Sequence, residues 1–350
     1  LGCGDALVGL SDEQVRETLD EEYTDEMDTV LRARDAFVED PNERTRDSLR
    51  RAFELVSRIR SDLDAVFRDS VGAAQSPDGL FDETTPFYWP LQFWHVFRDG
   101  EGFDCVVGNP PWVIEGKTNT KRFLRETYDH QSGQPDLYRY FLETSFRMTS
   151  GRLGMVTPNT WLSIPGARDL RSALLCAARV EKIAFVPETA FTGVGQNSLI
   201  VVLDRSGPPT IAPHETEGER ERAGITVGDL DPNGDVQTVR TVPSSSIGPP
   251  AYRINPYVGT EERDVVETMA STATPLCEIA DVTVGYQLYH RSIHSDAEIE
   301  DEVFHAETKV HADYAVDTRS GALRRYHLDR SETRYVDTSA TFFRIPPRRF

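Results

Sequence analysis

Residues 103–113, FDCVVGNPPWV, set an amide, two prolines and a tryptophan directly after an apolar run with strand character. A strand in a parallel sheet usually exits through Gly or Ser into a helix, whereas Asn109-Pro110-Pro111-Trp112 is stiff and bulky. Pro110 fixes its own φ, and each proline pushes the residue before it out of the helical region, so the corner is extended and rigid. The carboxamide oxygen of Asn109 and the carbonyl oxygen of Pro110 are neighbouring acceptors, and neither proline has an N–H to donate. Two convergent acceptors complement a planar –NH2 group on an sp2 carbon, the exocyclic amine of adenine being one example. Trp112 adds a flat face on which an aromatic ring can stack. In open α/β sheets ligands bind at the carboxyl ends of strands, so position and chemistry agree.

The elements that must hold this corner follow in order along the chain. Residues 11–70 are helix-forming, with Leu49, Phe53, Val56, Ile59 and Leu63 at three- and four-residue spacing on one stripe. A loop rich in Gly, Ser, Asp and Pro at 72–86 leads into PFYWPLQFWHVF and then the strand at 103–108. A helix from about Pro135 to Met148, the strand GRLGMVTPN, the helix GARDLRSALLCAA, and the strands VEKIAFVP and NSLIVVLDR come next. Strands alternating with helices predict an α/β fold with a mainly parallel sheet. The last two strands have only a loop between them, which predicts an antiparallel pair at the sheet edge. From about Gly207 the composition turns linker-like, with short strand-like runs and many turn residues.

The corner resembles the (Asn/Asp)-Pro-Pro-aromatic motif of S-adenosyl-L-methionine-dependent amino methyltransferases. Its surroundings sharpen the likeness: PFYWPLQFWHVF…GFDCVVGNPPWV, DLYRYFLETSFRM…GRLGMVTPNTWL and FVPETAFTGVGQNSLIVVLDR are similar, in order, to blocks of large adenine-specific (N6) DNA methyltransferases of Type IIG restriction–modification and BREX phage-defence systems. The resemblance implies a partial Rossmann-like methyltransferase sheet, formed by residues 1–10 and 77–206, with a helical insertion at 11–76. A linker and connecting region at 207–270 and the start of a DNA target-recognition domain at 271–350 complete the expected layout. It also implies roles: Asn109 and Pro110, with Pro111 and Trp112, receive the target base, and Phe191 holds it from another side. Asp5 and Phe141 contact the adenine of the cofactor. The implied partner is double-stranded DNA with the target adenine flipped out of the helix. The glycine-rich turn for the methionine part of the cofactor is expected ahead of LGCGDALVGL, so the stretch reads as an excerpt completed by an N-terminal part or by other restriction or defence subunits. Other readings are a catalytically inactive DNA-binding remnant of a split gene, or an amino methyltransferase acting on RNA or protein glutamine.

Composition bounds these readings. No apolar run approaches a membrane span, the longest being Leu199–Leu203, and no signal-peptide pattern opens the chain. The four cysteines (Cys3, Cys105, Cys176 and Cys277) have no CxxC spacing, which predicts reduced core thiols in a cytoplasmic protein and no zinc site. His290 and His294 stand four apart with no acidic or Cys partner at ligand spacing, a surface pattern. No Ser-His-Asp pattern, P-loop or nuclease motif is present.

The net charge of −20 is unusual for a protein that meets DNA, yet of the 38 basic residues only Lys117, Lys121, Lys182 and Lys309 are lysine. Abundant acid with Arg in place of Lys fits a protein of concentrated salt, where the screening length falls to about 3 Å at 1 M. Thermal stability is therefore expected to rise as KCl is taken from about 0.1 M to about 3 M. A monotonic fall would refute this habitat reading and turn the net charge against a DNA partner.

Overall fold

The computed structural model describes residues 3–71, 77–99, 102–113, 118–133, 136–187, 197–212, 224–231, 233–274, 276–280, 289, 294–318, 323–324, 327–328, 333–337 and 339. The chain forms two compact units, Leu1–Glu267 and Thr268–Phe350.

The first unit opens with three helices, α1 (Asp12–Glu22), α2 (Thr24–Glu39) and α3 (Glu43–Ser70). Ser11 and Asn42 start α1 and α3 with reciprocal capping boxes, satisfying orphan N–H groups that a helix end otherwise leaves open. On α3 the buried face runs through Ala52, Ile59, Leu63 and Phe67, while Phe53 is 52% exposed. The expected stripe thus holds in the second half of the helix and drifts off at its start. A short α4 (Pro77–Glu83) lies within the stretch expected to be loop, followed by the single-turn helices α5 (Trp89–Gln92) and α6 (Trp94–Phe97).

Six strands then build one sheet: β1 (Phe103–Gly108), β2 (Thr149–Pro158), β3 (Arg179–Phe185), β4 (Ser198–Asp204), β5 (Gly224–Leu230) and β6 (Val236–Pro243). Helices α7 (Thr118–Thr127) and α8 (Leu137–Met148) join β1 to β2, and α9 (Arg168–Ala177) joins β2 to β3. The strand order is β1-β2-β4-β3-β5-β6. β1–β2 and β3–β5 are parallel, whereas β2–β4, β3–β4 and β5–β6 are antiparallel. Three expectations are corrected here. The sheet is mixed, and the antiparallel β3–β4 pair lies inside it, because β4 inserts between β2 and β3. The region expected to be linker contributes β5 and β6, whose Ile225, Val227 and Val242 are buried in the sheet core. Their apolar positions alternate with Gly, Thr and Asp, which pack on only one face.

Two hydrophobic cores flank α8. Its Tyr138, Leu142 and Phe146 join the sheet core with Leu153, Met155, Leu174, Ile183 and Val201. Its Tyr140 joins a second core with Val15, Leu19, Ile59, Leu63, Tyr88 and Trp94. The expected core thiols are a further correction: Cys105, on edge strand β1, and Cys176, in the last turn of α9, are exposed, as is Cys3. An apolar neighbourhood in sequence did not place either on the inward face. Among the described residues no helix is long and apolar enough to cross a membrane.

Arg171 of α9 is fully buried and donates to four carbonyls: Nε to Tyr252 (2.9 Å), Nη1 to Trp161 (2.7 Å) and Ile164 (2.8 Å), and Nη2 to Ala251 (2.8 Å). Burial, then the positive Arg253, Arg139 and Arg168 nearby, push its pKa down to about 10, so it stays charged at neutral pH. It ties the turn after β2 to the segment after β6.

The helix α10 (Thr260–Thr272) runs across the boundary between the units, and in the second unit α11 (Leu276–Ile279) and α12 (Asp296–Glu300) are followed by short strands. β7 (His305–Ala306), β8 (Tyr314–Thr318) and β11 (Thr333–Asp337) form a sheet in the order β7-β11-β8, and β9 (Leu323–Arg324) pairs with β10 (His327–Leu328). His294, expected at the surface, is buried against Tyr289 and Phe304, with ring centroids 5.9 and 5.5 Å away. His290 lies outside the described residues.

Replacing Arg171 with Met strands four interior carbonyls without their donor. The expected loss is about 3 kcal/mol or more in urea unfolding, with a smaller loss for Arg171→Lys, which can still donate to some of them.

Candidate active site

β1 delivers the corner. It pairs in parallel with β2 up to Gly108 opposite Met155, and the next residue is Asn109 at the carboxyl end of the strand. Asn109 is exposed and Pro110 is buried beneath it. Among the described residues the Asn109 side chain makes no hydrogen bond, so its carboxamide is available to a ligand. Trp112 is half-buried and packs against the sheet core. The carbonyl of Val113 then accepts from the N–H of Leu137 at 2.8 Å, where α8 begins. The corner is therefore anchored just past its two acceptors, by an indole in the core and by a backbone bond to a buried helix.

Asn109, Pro110 and Pro111 stand on the rim of a cavity of about 550 Å3 that also takes in Phe141 of α8. That size falls within the range of small-molecule sites, about 300–1,000 Å3. Its walls are mostly apolar: Trp89 and Phe93 from the aromatic segment, Phe103 from β1, and Met148 and Met155. Trp89 stacks on Phe93 (centroids 5.7 Å apart, 23° between planes), meets Phe87 edge-on and donates from Nε1 to the carbonyl of Ala6 at 3.1 Å. Trp89 and Phe93 were not singled out from the sequence, though the density of aromatics in PFYWPLQFWHVF was a usable signal.

Asp5 does not line this cavity, but its neighbour Ala6 does. The Asp5 carboxylate accepts from the N–H of Leu7 at 3.1 Å and from the hydroxyl of Thr84 at 3.1 Å. Its own N–H donates to the carbonyl of Thr85 at 2.7 Å. One residue earlier, Glu83 holds the start of α7. It accepts from the N–H and side-chain amide of Asn119 (3.1 and 3.0 Å) and from the N–H and hydroxyl of Thr120 (2.8 and 3.0 Å). Burial works against this carboxylate, but the bonds from Thr120 and Asn119 outweigh it and set its pKa below the ordinary value. The site thus brings together Asn109, Pro110, Pro111 and Phe141, with Asp5 adjoining and Trp112 turned toward the core. Phe191 lies outside the described residues.

Residues 40–191 match the Eco57I restriction-modification methylase family. A putative type II restriction enzyme and methyltransferase of Methanocaldococcus jannaschii, RM.MjaORFECS2P, is 24% identical over 130 residues, which cover 37% of this chain and 11% of that protein. The Type II methyltransferase M.TthHB8I of Thermus thermophilus is 31% identical over 137 residues, which cover 36% of this chain and 31% of that protein. The chain therefore spans about a tenth and about a third of these two relatives. Among solved structures, the type I restriction enzyme EcoKI M protein aligns over 68% of this chain and 40% of its own, at 17% identity and a TM-score of 0.30.

Beside the cavity at Asn109 lies a second, more polar one of about 370 Å3, with Ala6, Trp89 and Thr144 common to both. Asp12, Arg16 and Arg147 bring charge to its wall. Burial raises Asp12 to about 6, against the opposing pull of Arg16 and Arg147. With the pKa raised on folding, the folded state keeps a proton that the unfolded chain releases at lower pH. Asp12 therefore subtracts stability as pH rises from 3.8 to about 6. Asp12→Asn abolishes that loss, so the variant's thermal midpoint, relative to wild type, is expected to be higher at about pH 8 than at about pH 4. An unchanged difference between the two pH values would contradict the assignment.

Proposed function

We propose that this segment forms the catalytic corner of a cytoplasmic DNA methyltransferase that methylates the exocyclic amine of adenine at a specific sequence, in a restriction–modification or phage-defence setting. The observation that carries the reading is the unengaged carboxamide of Asn109 at the carboxyl end of β1, on the rim of an aromatic-walled cavity that contains Phe141. The family match over residues 40–191 supports it, since that stretch includes the corner.

The cofactor in this reading is S-adenosyl-L-methionine, and the residues present suit it. The cavity is apolar and large enough for a purine nucleoside, with Phe141 and Trp89 as aromatic walls, and the Asp5 turn adjoins it. Phe141 in the cavity wall would pack on the purine, and Asp5, beside the cavity, would accept from its amine. When bound, the cofactor supplies an electrophilic methyl group on a sulfonium. The chain supplies position and hydrogen-bond acceptors. Asn109 Oδ1 and the Pro110 carbonyl take the two amine hydrogens, drawing the nitrogen lone pair out of conjugation and aiming it at the methyl carbon. With the cofactor held beside the corner, its methyl group would be transferred to that nitrogen as its bond to sulfur is given up, and the amine proton would be lost to water. Trp112, half-buried against the core, presents its remaining surface to the base, and the resemblance gives Phe191, outside the described residues, the role of holding the base from another side.

A base within a duplex cannot reach the corner, so the adenine is flipped out, and stacking offsets unstacking of a few kcal/mol. Sequence recognition falls to the second unit, and DNA together with other restriction or defence polypeptides are the partners.

The test uses the full polypeptide that carries these residues. Asn109→Ala is expected to lower methyl transfer to unmethylated genomic DNA about a hundredfold or more, as for loss of a preorganised transition-state hydrogen bond. Cofactor affinity, measured by calorimetry, should change far less. Turnover above about a tenth of wild type would overturn the role given to Asn109.

A further inference from the structure

In a chain of net charge −20, four arginines gather around the turn that follows β2. Arg139 of α8 donates from Nη2 to the carbonyls of Ser132 (3.1 Å) and Gly166 (2.8 Å). Two residues beyond Gly166, Arg168 donates from Nε to the carbonyl of Pro250 at 2.6 Å and pairs with Asp169 at 2.7 Å. Arg171 gathers carbonyls from both segments, and Arg253 follows the last of them, Tyr252. Arg253, Arg139 and Arg168 all bear on the charge of Arg171, and Asp169 opposes them. Two of the four reach the surface. The Arg168 side chain is half exposed, and Arg253 is exposed and makes no hydrogen bond or ion pair among the described residues. Arg168 is also the first residue of α9, where the helix dipole disfavours positive charge, so helix stability does not account for it.

This cluster lies on the same edge of the sheet as the corner. β1 and β2 are parallel, so Asn109 and the turn after Pro158 both leave from carboxyl ends. The two are also joined through α8. The N–H of Leu137 holds the carbonyl of Val113, and Arg139, two residues on, reaches Gly166. We propose that Arg168 and Arg253 form a rim that contacts the phosphodiester backbone of DNA beside the corner, with Arg139 and Arg171 adding positive potential from beneath. The proposal rests on reading the corner as a DNA-modifying site. Phosphate contacts carry no sequence information, but they fix the register of a protein on a duplex, which a base bound for one pair of acceptors requires. They also answer the acidic composition: once salt screens distant charges, the nearest ones set the field that a phosphate meets.

Binding of the full polypeptide to a DNA duplex, followed by fluorescence anisotropy from about 0.1 to about 1 M KCl, tests the rim. Losing one phosphate contact should flatten the slope of log affinity against log salt by about 0.9, a loss of about eightfold at 0.1 M that fades by 1 M. Arg253→Gln is expected to show this loss with an unchanged thermal midpoint, since the side chain has no partner to leave behind. The double variant Arg168→Gln/Arg253→Gln should flatten the slope about twice as much. Arg253→Lys should keep the wild-type slope. Arg179→Gln is the control. β3 runs the same way as β2, so Arg179 at its start is exposed on the opposite edge, and removing its charge should leave the slope alone. A slope no flatter in Arg253→Gln than in Arg179→Gln would overturn the rim, and so would flattening seen with an RNA duplex but not with DNA. Because the readout is binding, the rim and the proposed activity fail separately. An enzyme that methylates DNA with a slope indifferent to Arg253 sinks the rim alone. A protein that holds DNA through Arg168 and Arg253 yet transfers no methyl group keeps the rim and sinks the activity.

Discussion

The structure of the first unit depends on α8 being buried on both sides. Tyr138, Leu142 and Phe146 face the sheet core and Tyr140 faces the helical core, so most of the helix surface is packed and little of it is open to solvent. Two charged side chains share this burial, Arg139 and Glu143. Arg139 donates to Gln131 (2.9 Å), Ser132 (3.1 Å) and Gly166 (2.8 Å). Glu143 binds His130 (3.0 Å) and Gln131 (2.7 Å) and pairs with Arg147. Sliding or turning the helix would pull two buried charges from their partners, which costs several kcal/mol. The register of α8 is thereby fixed, and with it both Phe141 in the cavity wall and Leu137, whose N–H holds the carbonyl of Val113.

That constraint explains how a corner of two prolines can be exposed without being loose. Pro110 and Pro111 limit the backbone locally, but local stiffness does not aim Asn109. The aim comes from β1, paired with β2 on one side, and from Trp112 and Val113, which bind the sheet core and α8. An exposed side chain is thus supported by backbone that is tied down on either side of it. Arg171 does comparable work further along, where four carbonyls from two separate segments converge on one guanidinium.

How much of this was legible in the sequence varies with the range of the interaction. The strand running into Asn109-Pro110-Pro111 could be read directly, because proline geometry and alternating apolar residues are local properties. The helices of 11–70 were legible for the same reason, though the exposure of Phe53 depends on where α2 lies against α3. Strand order was not legible: nothing in NSLIVVLDR says that it inserts between β2 and β3 instead of standing at the edge. β5 and β6 were legible only as short strand-like runs in a connecting region, since Gly224, Gly228 and Asp229 dilute the apolar pattern of β5, which pairs with β3. Trp112 carried a ligand-facing expectation, and its packing on the core comes from residues far along the chain. The burial of His294 likewise comes from Tyr289 and Phe304, neither of which marks it in the sequence.

The chain departs from the site at Val8 and returns at Phe87, and the Val8 carbonyl accepts from the Phe87 N–H at 2.9 Å. A block of helices whose two ends meet behaves as a cassette. Its length adds little to the entropy of closing the loop, since that term grows only with the logarithm of the residue count. Related proteins are therefore free to lengthen, shorten or exchange the outward parts of the block, such as the turn joining α2 to α3, while the corner at Asn109 stays as it is. The inward faces have no such freedom, because Val15, Leu19, Ile59 and Leu63 cover Tyr88 and Trp94 beside the cavity. Sequence drift in this stretch should be lopsided, fast on the rim of the cassette and slow on the face that roofs the aromatic wall.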